Sequence, residues 1–236
     1  MSTETAILTE LLRDPGSIAA RTHEDRGLRA LGLASILSIL VGGAIFGAAV
    51  GSFRGHLQLL FAALKVPLAL FLTLAVATPA FHAIAATLGR PSPFRATASL
   101  VLAASARMAL VLLACAPPLF LAIDLGFRYH EVAILAAAVF GLAGLAALGV
   151  LLRGLGRGPG RHATVIAFLL VYFAAGTQSA WVFRPYLVRP KSSIVLVRPS
   201  EGDALDSVRR STRSAMGIYD RPSAESSMPT RGEEQP

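Results

Sequence analysis

The stretch ALGLASILSILVGGAIFGAAVGSF, residues 30–53, contains no Asp, Glu, Lys or Arg. The hydrocarbon core of a bilayer is about 30 Å thick, and roughly 20 apolar residues of helix cross it. Four further runs have a similar length: Val66–Gly89, Ala96–Asp124, Val132–Leu152 and His162–Phe183. They also lack charged residues, except that the run Ala96–Asp124 contains Arg107 and ends at Asp124. The sequence therefore predicts an all-α, polytopic transmembrane bundle of about five spans.

The composition agrees with a membrane protein and excludes several other classes. Of the 236 residues, 54% are hydrophobic and 15% are charged, whereas a soluble domain carries about 25% charged residues. The net charge is +8, but no basic stripe is interleaved with aromatic residues, so we expect no nucleic acid partner. Cys115 is the only cysteine, which excludes a disulfide within the chain, and no paired acid/base, nucleophile or metal motif is present. We expect neither an enzyme nor a cofactor.

Charge and composition divide the chain into three parts. Residues 1–27 form a polar segment, 28–190 the transmembrane domain, and 191–236 a mostly disordered tail. The first segment is too long and too acidic for the n-region of a signal peptide. Within it, Thr5–Leu12 places Ile7, Leu8, Leu11 and Leu12 on one helical face, which indicates either a short amphipathic helix at the membrane surface or a simple tail.

Small residues predict where helices pack closely. Gly43, Gly47 and Gly51 recur every four residues and share one face of the first span. Packing, rather than hydrophobicity, drives helix association in lipid, and small residues permit close approach. We expect this face to pack against another helix of the same chain. The fourth span, rich in Ala and Gly, also suits tight packing.

Prolines predict helix ends and bends. Gly55–Leu64 reads as a short interfacial helix or an additional half-span, so that the second span begins near Val66, with Pro67 in its first turn. Pro79 should kink this span. Pro117 and Pro118 should break or bend the third span, because a proline disfavours helical geometry in the preceding residue.

Basic loops predict the orientation. Arg90–Arg95 and Arg153–Arg161 lie on the same side as the N-terminal segment if there are five spans, and the positive-inside rule places that side in the cytoplasm. A further basic cluster follows residue 184, which would favour the cytoplasm for the C-terminus too, so six spans remain an alternative. The glycine-rich loop RGLGRGPGR lacks the G-K-[ST] ending of a phosphate loop, and we interpret it as a flexible turn.

Polar residues inside spans are candidate functional residues, because they are costly in lipid. Arg107 would cost roughly 2.5–3.5 kcal/mol at mid-depth, so it should face the bundle, snorkel to a surface or bind an anionic headgroup. His82, well inside the second span, should be a hydrogen-bonded structural residue. Gln178 should bond to a neighbouring helix, and Lys65 stands at the start of the second span. We expect spans two, three and five to form the interior.

The end of the fifth span carries an interfacial pattern: Trp181, Arg184 and Pro185. Lys65–His82 (KVPLALFLTLAVATPAFH) and Gly176–Pro185 (GTQSAWVFRP) together resemble an uncharacterised family of bacterial multi-pass membrane proteins. Phe81–Ala104 resembles the hairpin between the second and third spans of Yip1-domain proteins. The second resemblance implies a five-span helical protein with a role in membrane trafficking or scaffolding and without catalysis.

Together these features predict an integral protein of the bacterial inner membrane with a cytoplasmic N-terminus. Its expected role is that of a non-catalytic scaffold or accessory subunit that contacts membrane lipids and a protein partner or further copies of itself. The alternative is a small transporter or channel subunit whose path is lined by Arg107, His82 and Gln178.

Overall fold

The computed structural model describes residues 3–24 and 27–183 of the chain. Within these ranges the protein is helical and contains no strand, which confirms the predicted all-α class. Seven helices follow one another: α1 Thr3–Arg13, α2 Pro15–His23, α3 Leu28–Gly51, α4 Leu57–Thr87, α5 Phe94–Asp124, α6 Tyr129–Gly154 and α7 Arg161–Val182. Helices α3 to α7 are long and apolar enough to cross a membrane. The predicted tail, residues 191–236, lies outside the described residues.

Short loops make consecutive spans run in opposite directions. The loops at residues 88–93 and 155–160 lie at the end of the bundle where α3, α5 and α7 begin, and we call this the basic end. The loops at residues 52–56 and 125–128 lie at the opposite end. The short helices α1 and α2 contact α3, α5 and α6. Thr22 of α2 meets the loops of the basic end, so the N-terminal helices lie there.

The glycine face of α3 is where α4 packs. A Cβ atom added to Gly51 would lie 2.6 Å from the carbonyl oxygen of Gln58, and one added to Gly43 would lie 3.3 Å from the backbone of Pro67. At Gly47 the added atom would collide with the carbonyl group of Ala62. Only residues without a side chain allow two helix backbones to approach this closely.

Another glycine of α3, Gly42, lies against α5. A Cβ atom at Gly42 would collide with the backbone carbonyl of Ala109 in α5. Helix α3 is therefore in backbone contact with α4 on one side and with α5 on the other. These three helices form the interior of the bundle.

The predicted start of the second span was wrong. Helix α4 begins at Leu57 and is continuous to Thr87, so Gly55–Leu64 is neither a separate interfacial helix nor a half-span. Pro67 therefore lies in the helix interior instead of the first turn. Pro67 packs closely against Gly43, which has no side chain.

The helix does not break at Pro117 and Pro118, and the alternative of a bend there stays a prediction. Helix α5 continues through both prolines to Asp124. Transmembrane helices tolerate proline where neighbouring elements compensate for the lost hydrogen bond. Ala116 before the prolines and Leu119 after them are both buried in the bundle, so packing on both sides of the prolines favours a continuous helix.

The N-terminal segment is more ordered than a polar tail. Asp14 begins α2 by accepting hydrogen bonds from the backbone N–H groups of the following turn. Arg21 of α2 forms an ion pair with Glu10 of α1, with 2.8 Å between Nε and Oε2. The predicted amphipathic helix is part of α1, and its apolar residues Ile7 and Leu11 are buried in the core of the bundle.

The interior differs from the prediction in one span. In the most apolar 18-residue window, 50% of the residues are buried in α3 and in α5, but only 22% in α6 and 17% in α7. The fifth span, α7, was expected inside and is instead the least buried. Polar residues in its sequence suggested an interior position, but the tightest contacts of the bundle are made by the glycines of α3.

We predict that Gly47→Ala destabilises the protein by about 1–3 kcal/mol, because the added methyl group must displace the backbone of α4. The control is Gly32→Ala on the same helix, where an added Cβ meets no atom within 4 Å. That change should be neutral or stabilising by up to about 1 kcal/mol through helix propensity. Thermal unfolding in detergent, followed by circular dichroism, measures both. If the two changes shift thermal unfolding equally, the close α3–α4 contact at Gly47 does not contribute specifically to stability.

Candidate functional site

A deep cleft separates α6 from α7. Helix α6 packs on α5, and α7 packs on α4, but α6 and α7 touch each other at few positions. The aromatic pair Phe46–Phe140 joins α6 to α3 at a ring-centroid distance of 5.2 Å, and the pair Phe81–Phe168 joins α7 to α4 at 4.5 Å. The two helices are therefore attached to opposite flanks of the interior. Between them lies a cavity of about 720 Å³.

The α6 wall of this cleft includes two glycines that no other helix covers. Gly141 and Gly144 line the cleft, and a Cβ atom added to either would meet no atom within 4 Å. This is the reverse of Gly47 in α3, where a neighbouring backbone fills the space. The α7 wall contributes Phe173 and Gly176. The cleft thus exposes bare helix backbone between apolar walls.

The cleft contains few polar groups. Tyr172 is the largest, and its hydroxyl group donates to the sulfur of Met108 over 3.9 Å and interacts with Ser105. Thr73 bonds back to the carbonyl of Ala69 in its own helix at 2.7 Å, as hydroxyl residues do within spans. No Asp, Glu, His, Lys or Arg is among the described residues that line the cleft. Its chemistry suits the binding of an apolar surface rather than proton transfer.

A second pocket, of about 360 Å³, lies at the basic end. Its walls come from α2, from the last turns of α4 and α6, and from the first turns of α5. The two loops between these helices complete it. We call it the basic-end pocket. Its exposed lining residues include Arg157 and Ser92, whereas Phe81, Ala85 and Leu100 are buried and apolar.

Arg90 fixes the two loops of this pocket to each other. Its Nη1 donates to the carbonyl oxygen of Pro159 at 3.0 Å, and its Nη2 donates to that of Leu155. Gly160 makes a further contact, because a Cβ atom there would lie 2.8 Å from the carbonyl oxygen of Leu88, and its φ of +73° favours glycine. The loop that the sequence indicated as a flexible turn is therefore held at several points.

His82 lies beside the basic-end pocket. Its Nδ1 is 3.4 Å from the hydroxyl oxygen of Thr97 in α5, and this oxygen is 2.8 Å from the Oγ of Ser92. The ring also meets Phe94 edge to face at 5.3 Å. Because α4 ends at Thr87, His82 is only roughly 8 Å from the helix end. It was expected well inside the span and is instead close to the loops.

Arg107 and Lys65 are charged residues that lie more than two turns from the ends of their helices. Arg107 is half-buried, and its Nη1 is buried without a hydrogen-bond partner. Lys65 is only 1% exposed. Arg107 lies in α5 and is half-buried, whereas Lys65 lies in α4 and is almost fully buried.

The predicted residues of α7 lie toward the end opposite the basic end. Gln178 is exposed on the surface of α7. Trp181 is half-buried in the last turn. Arg184 and Pro185 lie outside the described residues. Since Gln178 is on the outer surface of α7 while His82 is near the basic end, the structure does not bring these polar candidates into one site.

Sequence reasoning missed both cavities. The three-residue spacing of Gly141 and Gly144 was visible, but it predicted tight packing instead of an open wall. Ser92 lies in a loop and Thr97 at the start of α5, and no sequence motif predicts the contact between them. In residues 3–24 and 27–183, no group of three or more His, Cys, Asp or Glu could hold a metal ion.

No protein-family model matches this chain, and no curated protein or solved structure is significantly similar to it. The resemblances noted in the sequence therefore remain predictions. The fold alone defines the class: this is a multi-pass α-helical integral membrane protein. Its apolar outer faces contact the lipid of the bilayer.

We predict that the cleft admits lipid chains when the purified protein is reconstituted alone. A single indole at Gly144→Trp, with Trp181→Phe as background, should be strongly quenched by lipids with brominated acyl chains. Ile134→Trp, on an exposed site of α6, gives the reference for full access, and the buried Phe46→Trp gives the reference for none. Quenching of Gly144→Trp no stronger than that of Phe46→Trp would show that the cleft is closed.

Proposed function

We propose that this protein is a non-catalytic accessory or scaffold subunit of a membrane complex, and that the cleft between α6 and α7 receives a transmembrane helix of its partner. One observation carries the proposal: the small residues of the cleft wall are bare. The glycine face of α3 is filled by helices of the same chain, whereas Gly141 and Gly144 of α6 face an empty space.

A helix is the occupant that this wall favours. Association of helices in lipid depends on van der Waals contact, which small residues increase by letting backbones approach. The cleft reaches from Leu151 and Phe168, near the basic end, to Ala137 and Ala180, near the other end, so it extends along most of the bundle. An elongated apolar partner matches this shape, and the few polar groups do not provide a path for ions.

Charge distribution supports a location and an orientation. We propose a bacterial inner membrane with the basic end in the cytoplasm, because basic loops are retained on that side. The loops of the basic end carry Arg90 and Arg157, with Arg95 in the first turn of α5 and Arg161 at the start of α7, while the loops of the opposite end carry Arg54 and Arg128. The N-terminal helices would then lie on the cytoplasmic surface.

We predict that filling the cleft removes the partner. The double change Gly141→Leu and Gly144→Leu should lower partner recovery in mild-detergent purification by roughly tenfold or more, since loss of about 1.4 kcal/mol suffices for that factor. The control Gly149→Leu lies on the same helix, meets no atom within 4 Å and is not part of the cleft. It should leave recovery unchanged.

Photo-crosslinking identifies the occupant. A photoreactive residue at Leu145 or Phe173, both on the cleft walls, should give one discrete protein adduct, whose mass distinguishes a different subunit from a second copy. Leu170 of α7 is 67% exposed and lies outside the cleft, so it should give lipid adducts alone. A protein that purifies without any partner and crosslinks only to lipid at all three positions would contradict the scaffold proposal.

The second candidate is a small transporter or channel subunit. The buried, unpartnered Nη1 of Arg107 and the buried position of Lys65 favour it, because charged groups within spans often mark a pathway. In proteoliposomes, Arg107→Ala and His82→Ala should then each lower the flux of a transported ion or solute at least about tenfold, the loss expected when a buried charged contact is removed. Unchanged flux in both variants would exclude this function.

A further inference from the structure

We infer that the basic-end pocket is a binding site for a phosphate group, supplied either by the headgroup of an anionic phospholipid or by a free phosphate compound. This site is separate from the cleft between α6 and α7. It therefore goes beyond the proposed function and does not depend on the partner.

The charge of the pocket selects an anion. Arg90 and Arg157 both line it, and no acidic side chain is among the described residues that do so. Arg157 is exposed, so its guanidinium group is open to a ligand at the mouth. Arg90 is bound to loop carbonyl groups but keeps its positive charge, because neutral carbonyl oxygens do not neutralise it. Arginine is the side chain best suited to the planar edge of a phosphate.

The hydroxyl of Ser92 adds a hydrogen-bond donor. The pocket is lined by Ser92, Thr97 and Thr22, which come from a loop, from α5 and from α2. The hydroxyl of Thr22 already donates to the carbonyl oxygen of Ala19 at 2.8 Å. Ser92 and Thr97 are 2.8 Å apart, and the exposed hydroxyl of Ser92 can donate to a ligand when Thr97 donates to Ser92. Phosphate oxygens are strong acceptors of such bonds. The volume of about 360 Å³ falls in the range of roughly 300–1,000 Å³ typical of ligand pockets.

The loops are arranged before any ligand binds. The hydrogen bonds of Arg90 to Pro159 and Leu155 join the two loops. Gly158 permits this close contact, since a Cβ atom there would lie 3.1 Å from Nη1 of Arg90. A site whose walls are already fixed loses less conformational entropy on binding.

The position of the pocket suits a lipid headgroup. The pocket lies where α4 and α6 end and α5 begins, which is the level at which a span leaves the hydrocarbon. Its inner wall is apolar and consists of Phe81, Ala85 and Leu100, with Gly154 packed closely against Leu100. A phosphate at the mouth and an apolar group toward the bundle would both find matching surfaces. Basic pockets at the cytoplasmic side of spans bind anionic lipid headgroups in this way.

The test is a titration of the full-length protein in detergent, followed by native mass spectrometry. The probes are phosphatidylglycerol, diacylglycerol without phosphate, and inorganic phosphate. We expect phosphatidylglycerol to bind, diacylglycerol not to bind, and Arg157→Gln to weaken binding roughly tenfold by removing a charge-assisted contact. Ser92→Trp, which fills the mouth from an exposed loop position, should weaken binding to a similar extent.

The matched control is Arg153→Gln. It removes the same charge at the same end of the bundle, but Arg153 does not line the pocket, so binding should stay within about twofold. Arg157-dependent binding of phosphatidylglycerol assigns the lipid headgroup, and Arg157-dependent binding of inorganic phosphate alone assigns a free phosphate compound. Equal binding of diacylglycerol, or equal losses in Arg153→Gln and Arg157→Gln, would overturn the inference. None of these outcomes depends on the partner or on the cleft variants.

Discussion

The structure depends on the close approach of three helix backbones, which the glycines of α3 allow. In water, burial of apolar surface would hold such helices together, but in lipid an apolar face gains little by leaving the bilayer. Contact distance then decides which helices associate. Gly42 brings α5 against α3, and Gly47 and Gly51 bring α4 against the adjacent face. Helices α6 and α7 pack on this three-helix interior, so their positions depend on these contacts.

The remaining spans follow from that arrangement. Helices α4 and α5 lie on different sides of α3. Helix α6, which packs on α5, is therefore held apart from α7, which packs on α4. The pairs Phe46–Phe140 and Phe81–Phe168 fix them to the interior rather than to each other. At the basic end, by contrast, Arg90 ties the loops together. The bundle is thus joined at one end and open along one side.

This arrangement also determines what the polar residues can do. His82 bridges α4 and α5 through Thr97 near the loops, where polar contacts cost less than at mid-depth. Arg107 keeps a buried nitrogen without a partner, and Gln178 is on the outer surface. One cavity is apolar and the other is basic, so an apolar surface and an anion would bind at different places. The proposed partner and the proposed phosphate ligand accordingly use different parts of the molecule.

The sequence by itself determined the all-α class and the approximate position of all five spans, because long runs without charge are compatible with few other structures. It also indicated the packing face of Gly43, Gly47 and Gly51, since their spacing fixes them on one side of a helix. It misplaced the start of α4, because Pro67 suggested a first turn, whereas transmembrane helices tolerate proline in their interior where neighbouring elements compensate. Only the tertiary structure decided which small residues are covered and which are bare. Gly47 and Gly144 look alike in sequence, and the difference between them depends on where the neighbouring helix lies.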